Sequence, residues 1–254
     1  MDKLINLEKS GHIAIVTMQR APVNAANKQF YLEMTETFDA VGADKDFRVA
    51  ILRSAYEKYW CAGNDVKDFE GMTPDNGHIR HRAVYNSFVA VYDCAVPVIA
   101  AIDGYCLGTG LAYASVCDII FATDRAVIGA PEITVGVMGA GKFLSRMVPQ
   151  FIMRRMIYNG DKVAASELEQ WGCLQVVPPE QLMETAVKQA DSIVEKCPSA
   201  VRLNKEALNR IEFVDLKTGY AIEQGYTRRA SAYEDAKEAQ KAFFEKRAPV
   251  FKGK

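Results

Sequence analysis

Along the first two-thirds of the chain the hydrophobic positions switch between two periods. His12-Ile13-Ala14-Ile15-Val16-Thr17 is short and β-branched and predicts a strand. Residues 27–41 then place Phe30, Met34, Phe38 and Val41 at helical spacing, with Glu33, Glu36 and Asp39 on other faces, which predicts an amphipathic helix. A second strand is expected over 48–53. The polar run from Met72 to His81 reads as a mobile loop entering a helix that ends near Cys94. Val96-Pro97-Val98-Ile99-Ala100-Ala101-Ile102 is continuously apolar, as in a strand buried on both faces. A helix over 109–115, a strand over 117–122 and a short apolar segment over 126–129 follow. Beyond Lys142 the pattern is helical, over 144–157, 164–171, 179–196, 198–211 and 223–246. The expected architecture is an α/β core over residues 1–200 and a helical region over 201–254.

Composition narrows the class further. With 31 basic and 32 acidic residues the net charge is −1, so nothing points to nucleic acid or an anionic membrane surface. No apolar run approaches the length of a membrane span, and the first residues show no signal-peptide core. Cys61, Cys94, Cys106, Cys117, Cys173 and Cys197 have no regular spacing and read as reduced thiols of a cytoplasmic protein. His78 and His81 have HxxH spacing without a third ligand cluster, so no metal site is expected.

The chemistry concentrates in two segments: Trp60-Cys61-Ala62-Gly63-Asn64-Asp65-Val66-Lys67 and Gly104-Tyr105-Cys106-Leu107-Gly108-Thr109-Gly110-Leu111. Both place glycine where backbone must approach a ligand closely. One N–H from each, converging on one oxygen, would form an oxyanion hole. Pro131-Glu132-Ile133-Thr134-Val135-Gly136 adds a carboxylate, and Ala242-Phe243-Phe244-Glu245-Lys246-Arg247-Ala248-Pro249 an aromatic, basic tail.

On these four segments, in this order and spacing, the chain resembles the crotonase (enoyl-CoA hydratase/isomerase) superfamily over essentially its whole length. It departs from the family pattern at Thr109, which replaces the middle glycine of Gly-Gly-Gly, and in the loop Gly139-Ala140-Gly141-Lys142-Phe143. The resemblance implies stacked ββα units with a C-terminal helical trimerisation region, assembled as a homotrimer or a dimer of trimers. It implies an acyl-CoA substrate processed through an enolate, with coenzyme A as part of the substrate and no separate cofactor. By the same resemblance the backbone N–H groups of Asn64 and Thr109 hold the thioester oxygen. Val23, Ala25, Ala62, Val66, Lys67, Gly108, Phe243 and Lys246 then contact substrate or CoA, the last two from a neighbouring subunit.

Glu132 matches one of the two glutamates that hydratases of this family use, while the other falls at Ala112. Hydration moves one proton to carbon and takes another from water, a task two carboxylates share well; a double-bond shift needs one base. Isomerisation is therefore favoured over hydration. The alternatives are a hydrolase or lyase cleaving a carbon–carbon bond of a cyclic β-keto acyl-CoA, in which a lone Glu132 activates water, or an acyl-CoA-binding protein without turnover. Tyr105, Tyr113 and Tyr233 are the hydroxyls considered as substitutes for the missing carboxylate. Val137 and Met138 beside the altered glycine loop suggest a changed acyl pocket. Asp118 and His12 read as structural, Asp65 as a turn-stabilising carboxylate, and Cys61 and Cys106 as buried thiols.

Overall fold

The computed structural model describes residues 2–71, 73 and 75–253. The chain opens with an antiparallel hairpin, β1 (Ile5–Ser10) and β2 (Ile13–Met18), and α1 (Lys28–Ala43) carries it to β3 (Val49–Ser54), parallel to β2. Asn27 caps α1, accepting the Phe30 N–H at 2.9 Å and so satisfying one of the helix's orphan donors.

From β3 onward one motif repeats. β3 leads to the short β4 (Tyr59–Cys61), and α2 (Gly77–Tyr92) follows. β5 (Val98–Ile102) leads to β6 (Tyr105–Leu107) and α3 (Thr109–Val116). β7 (Ile119–Thr123) leads to β8 (Val127–Gly129), then α4 (Gly141–Leu144) and α5 (Gln150–Asn159). The first strand of each pair joins one sheet, in the parallel order β3-β5-β7, and the second joins another, in the parallel order β4-β6-β8. The units are thus stacked ββα turns, as the family resemblance implies. β9 (Lys162–Ala164) closes the second sheet antiparallel to β8; after α6 (Ala165–Glu169), β10 (Gln175–Val177) extends the first beside β7.

Strand β5 explains why the apolar run at 98–102 has no polar positions. Side chains alternate between faces of a strand. Val98, Ala100 and Ile102 enter the main core with Phe30, Met34, Trp60 and Leu111. Ile99 and Ala101 face the other way, onto Ile13, Val49, Phe121 and the residues Leu182, Ala186 and Ala190 of α7 (Leu182–Val194).

The C-terminal helices are α8 (Pro198–Ile211), α9 (Leu216–Ala230) and α10 (Glu234–Glu245). The residue 200/201 division falls inside α8. Arg202 donates to the carbonyls of Gly42, Asp44 and Phe47 at 2.8, 2.7 and 2.9 Å. Lys205, only 5% exposed, meets both oxygens of Asp118 at 2.6 and 2.8 Å, and Asp118 also accepts the Val98 N–H at 2.7 Å. Asp118 is therefore the structural carboxylate its strand-start position suggests.

Several elements differ from the sequence reading. The expected helix over 144–157 is interrupted: α4 ends at Leu144, and Pro149, which has no N–H to donate, stands before α5. The expected helix over 223–246 is two helices. Asp215 caps α9 early, accepting from Lys217 and Thr218 at 3.1 Å each, and the Ala232 and Tyr233 amides tighten onto Arg229 and Ala230 to end it. Of the expected mobile loop, Met72 and Pro74 lie outside the described residues, and helix already begins at Gly77.

Candidate active site

The ends of β4 and β6, parallel neighbours in the second sheet, carry the two glycine segments. After β4 the chain bridges to Ala26: the Ala26 N–H donates to Gly63 O at 2.8 Å and the Asp65 N–H donates to Ala26 O at 2.9 Å. In extended backbone those two groups point to one side and the N–H of the residue between them to the other. The Asn64 amide is thus turned away from the Ala26 strand, with no acceptor among the described residues. Thr109 is the first residue of α3, whose opening hydrogen bond runs from Ala112 N–H to Gly108 O at 2.9 Å. Its own amide is one of the orphan donors every helix start carries, where the helix dipole also favours negative charge. Gly110 lets this helix start press against β4, since a Cβ there would lie 2.7 Å from the Cys61 carbonyl oxygen.

Glu132 stands in a 3-10 turn over Pro131–Val135 that follows β8. A Cβ built on Gly108 would be 2.9 Å from Glu132 Oε1 and 3.6 Å from Gly63 Cα, so the carboxylate and both glycine segments meet at one point. Oε2 is buried without a hydrogen-bond partner. Burial raises the carboxyl above its ordinary pKa. A carboxyl held this way, beside two free amides, is fitted to exchange protons with a ligand whose oxygen the amides hold.

Next to the amides is a side-chain network. The Tyr31 hydroxyl donates to Asn64 Oδ1 and shares a 2.9 Å bond with Thr109 Oγ1, tying the two segments together from α1. With its one proton on Asn64, Tyr31 receives the Thr109 hydroxyl as donor. Arg80 Nη2, from α2, also donates to Asn64 Oδ1. Burial holds the Tyr31 phenol protonated, well above its ordinary pKa. Asn64 therefore offers the site its side chain as well as its amide.

Sequence reasoning missed Tyr31 and Arg80. The signal for Tyr31 is a phenol beside Phe30 on a core-facing helix, because a buried tyrosine hydroxyl needs a partner. The tyrosines singled out from the sequence are not in the network. Tyr113 donates to Ser87 Oγ at 3.0 Å inside the core, the Tyr105 ring packs 5.4 Å from Tyr59, and Tyr233 packs against the α8–α9 cluster. Ala112 is 3% exposed.

The residues expected at coenzyme A fall into two groups. Val23 and Ala25 run alongside Ala62, with Ala62 N–H donating to Val23 O at 3.0 Å, and Arg20 braces the run by donating to Ala25 O and Asp65. Val66 and Lys67 continue from it in an exposed 3-10 turn, and Gly108 lies against Glu132. Phe243 and Lys246 stand apart at the exposed end of α10, where Phe243 contacts Phe244. Among the described residues no hydrogen bond, ion pair or ring contact joins these two to the rest of the site. Met138 is 91% exposed, and Gly139 lies on the Glu132 side of its loop, a Cβ there being 3.9 Å from Oε1. A cleft of about 660 Å³ under α8 and α9 shares none of these residues.

The family model described as enoyl-CoA hydratase/isomerase matches residues 8–254. The chain belongs to this family, the crotonase superfamily. It is 39% identical over 217 residues (85% of this chain, 84% of the relative) to a (7aS)-7a-methyl-1,5-dioxo-2,3,5,6,7,7a-hexahydro-1H-indene-carboxyl-CoA hydrolase of Rhodococcus jostii. It is 34% identical over 246 residues (95% and 94%) to a short-chain-enoyl-CoA hydratase of Clostridium acetobutylicum. An enoyl-CoA hydratase of Bacillus anthracis superposes with a TM-score of 0.93 at 30% identity, over 99% of this chain and 100% of that one. The chain is a crotonase-family acyl-CoA enzyme. No helix among its described residues is long and apolar enough to cross a membrane.

Proposed function

We propose that this crotonase-family enzyme hydrolyses a carbon–carbon bond of a cyclic β-keto acyl-CoA. The observation that carries the reading is the half-buried carboxylate of Glu132, its Oε2 without a partner, beside two free amides, with Ala112 where a hydratase places its second carboxylate. One carboxylate serves an isomerase equally well, and the sequence alone favours isomerisation. The relative that tips the reading acts on a bicyclic diketone carried as a carboxyl-CoA, and it is a hydrolase.

In this mechanism the Asn64 and Thr109 amides hold the thioester oxygen. Glu132 takes a proton from water, whose hydroxyl adds to the ring ketone carbon. The bond from that carbon to the α-carbon breaks, and its electron pair passes to the thioester as an enolate. Glu132 returns its proton to the α-carbon, and the new carboxylic acid loses its proton to solvent. One water is consumed, and nothing is oxidised or reduced. Stabilising the enolate with preorganised donors is the larger contribution, because removing one such donor typically costs about 10²–10³ in rate. Val23, Ala25, Ala62, Val66, Lys67 and Gly108 line the CoA path in this reading. Phe243 and Lys246 reach the adenine end from a neighbouring copy in a homotrimer or a dimer of trimers, within the cytoplasm.

Mass spectrometry of products distinguishes the reactions when 2-oxocyclohexane-1-carboxyl-CoA, trans-2-enoyl-CoA and trans-3-enoyl-CoA are supplied separately. Ring opening with gain of one water on the cyclic substrate is the expected result. Hydration of the 2-enoyl substrate, or its formation from the 3-enoyl one, with the cyclic substrate untouched, refutes the proposal.

A further inference from the structure

Ring opening develops charge twice: on the thioester oxygen as the enolate forms, and on the ring ketone oxygen as water adds. The two free amides account for the first oxygen. The second is a 1,3-neighbour of the first, so whatever receives it must stand beside the oxyanion hole. Arg80 stands there, donating to the side chain of Asn64, the residue whose amide belongs to the hole.

The state of the guanidinium matters as much as its place. It stacks over the Phe69 ring, 4.3 Å from the centroid, and lies 5.9 Å from that of Tyr31. Among the described residues no carboxylate comes within ion-pair distance of it. Its Nε is buried with no acceptor. A buried N–H without a partner is unfavourable, and more so on a charged group. Asp68 Oδ2 is the other unpartnered buried oxygen of this region, and it too acts on Tyr31, but it makes no ion pair with Arg80. A plain hydrocarbon enoyl chain brings no acceptor to this cation. A ketone oxygen does, and the alkoxide formed on it and the carboxylate it becomes do so with a full negative charge.

The geometry points to Arg80 as the specificity-determining residue that receives the β-oxygen of the acyl group. This inference rests on the ring-opening reading for the step it assists, and it adds the prior claim that the site selects acyl-CoAs carrying an oxygen at the β-position. Arg80 then binds the ketone, stabilises the alkoxide and holds the carboxylate until release. Tyr31 and Asn64 keep the guanidinium in register with the two amides, so both oxygens are met by one rigid group of donors.

The test compares two ligands that differ only in the ketone, 2-oxocyclohexane-1-carboxyl-CoA and cyclohexane-1-carboxyl-CoA. Titration calorimetry is done on Glu132→Gln protein, to stop turnover, with Arg80 retained or changed to Met or Lys. With Arg80 retained, the keto ligand should bind more tightly by about 10- to 100-fold, the range for a hydrogen bond to a charged group. Arg80→Met should erase that ratio while changing affinity for the ring without the ketone by less than about two-fold. Arg80→Lys should restore part of it, since an ammonium supplies charge without the planar fork. Equal weakening of both ligands by Arg80→Met overturns the proposal and makes Arg80 a support for Asn64 alone. Equal affinity with Arg80 retained also overturns it. The two readings fail separately. An enzyme that opens no ring, yet loses its keto preference with Arg80, sinks the hydrolase reading alone. One that opens the ring with the preference intact in Arg80→Met sinks this inference alone.

Discussion

Replacing Gly108 with alanine strikes the point where the carboxylate and the two glycine segments meet. Gly108 has φ 54° and ψ −109°, a conformation that glycine adopts freely and L-residues resist. That backbone strain costs about 2 kcal/mol of stability. The new Cβ would lie 2.9 Å from Glu132 Oε1 and 3.4 Å from its Cδ, whereas carbon contacts are most favourable at about 3.5–4 Å. The carboxyl is the mobile end of its side chain, so it gives way by about half an ångström or more and adds little to the stability loss. Catalysis does not tolerate the same movement, because a misplacement of about 1 Å costs roughly 10² in rate. Gly108→Ala should therefore lower kcat about 10- to 100-fold, alongside the 2 kcal/mol or so in urea unfolding. Gly11→Ala is the control. Its φ is 57° in the hairpin between β1 and β2, and a Cβ there meets nothing within 4 Å. It should lose about 1 kcal/mol with turnover unchanged. Ring-opening turnover of Gly108→Ala within two-fold of wild type, despite a stability loss, would refute the placement of Glu132 as the reacting group.

Burial raises the Glu132 pKa, so the base form is lost at a higher pH than for an exposed carboxylate, and the acid limb of kcat/KM should lie above the usual carboxylate range. By linkage the native state holds more protons than the unfolded chain between the ordinary and raised values. Stability therefore falls as pH rises through that window, by up to about 1.4 kcal/mol for each pH unit the window spans. Glu132→Gln should remove both the turnover and this slope in Tm against pH; an unchanged slope would show that the carboxyl is not the group responsible. Lys205→Met leaves the quarter-exposed Asp118 with the Val98 amide as its remaining partner and should cost about 3 kcal/mol in urea unfolding, toward the lower end for a broken buried pair. A loss below about 1 kcal/mol would mean that α8 docks through Arg202 and apolar contacts instead.

Much of the fold was legible because its signals are local and periodic. The helix from Lys28 repeats Phe30, Met34, Phe38 and Val41 on its core face, and β5 is apolar at every position because it is covered on both sides. The three-residue strands β4, β6, β8, β9 and β10 are too short to carry a period, and they are fixed by pairing with strands distant in sequence. The same limit governs the site. Glu132 and the glycine segments could be found from motif spacing. Tyr31, Arg80 and Asn64 are brought together from three separate segments, and no spacing records that Tyr31 reaches Thr109, seventy-eight positions away. Asn64 illustrates the cost: its amide was legible, its side chain was not. The choice between isomerisation and ring opening was beyond the motif for the same reason, because one base serves both.

The division between backbone and side chains explains how one fold can host several reactions on acyl-CoA. The two amides are free because parallel strands end side by side, one running into a bridge and the other into a helix start. Neither depends on the identity of its own side chain, so both donors are preserved under most substitutions. What surrounds the amides comes from separate turns of the stack: Tyr31 from α1, Arg80 from α2, Ala112 from α3 and Glu132 from the turn after β8. Arg80 and Glu132 are only partly buried, so these two positions can change with the strands that set the amides kept. A glutamate at position 112 alone would not make this chain a good hydratase. Ala112 is packed at 3% exposure, and Arg80 already donates to Asn64 beside the amides. A carboxylate there would have to displace core contacts, because Ala112 packs in the main hydrophobic core.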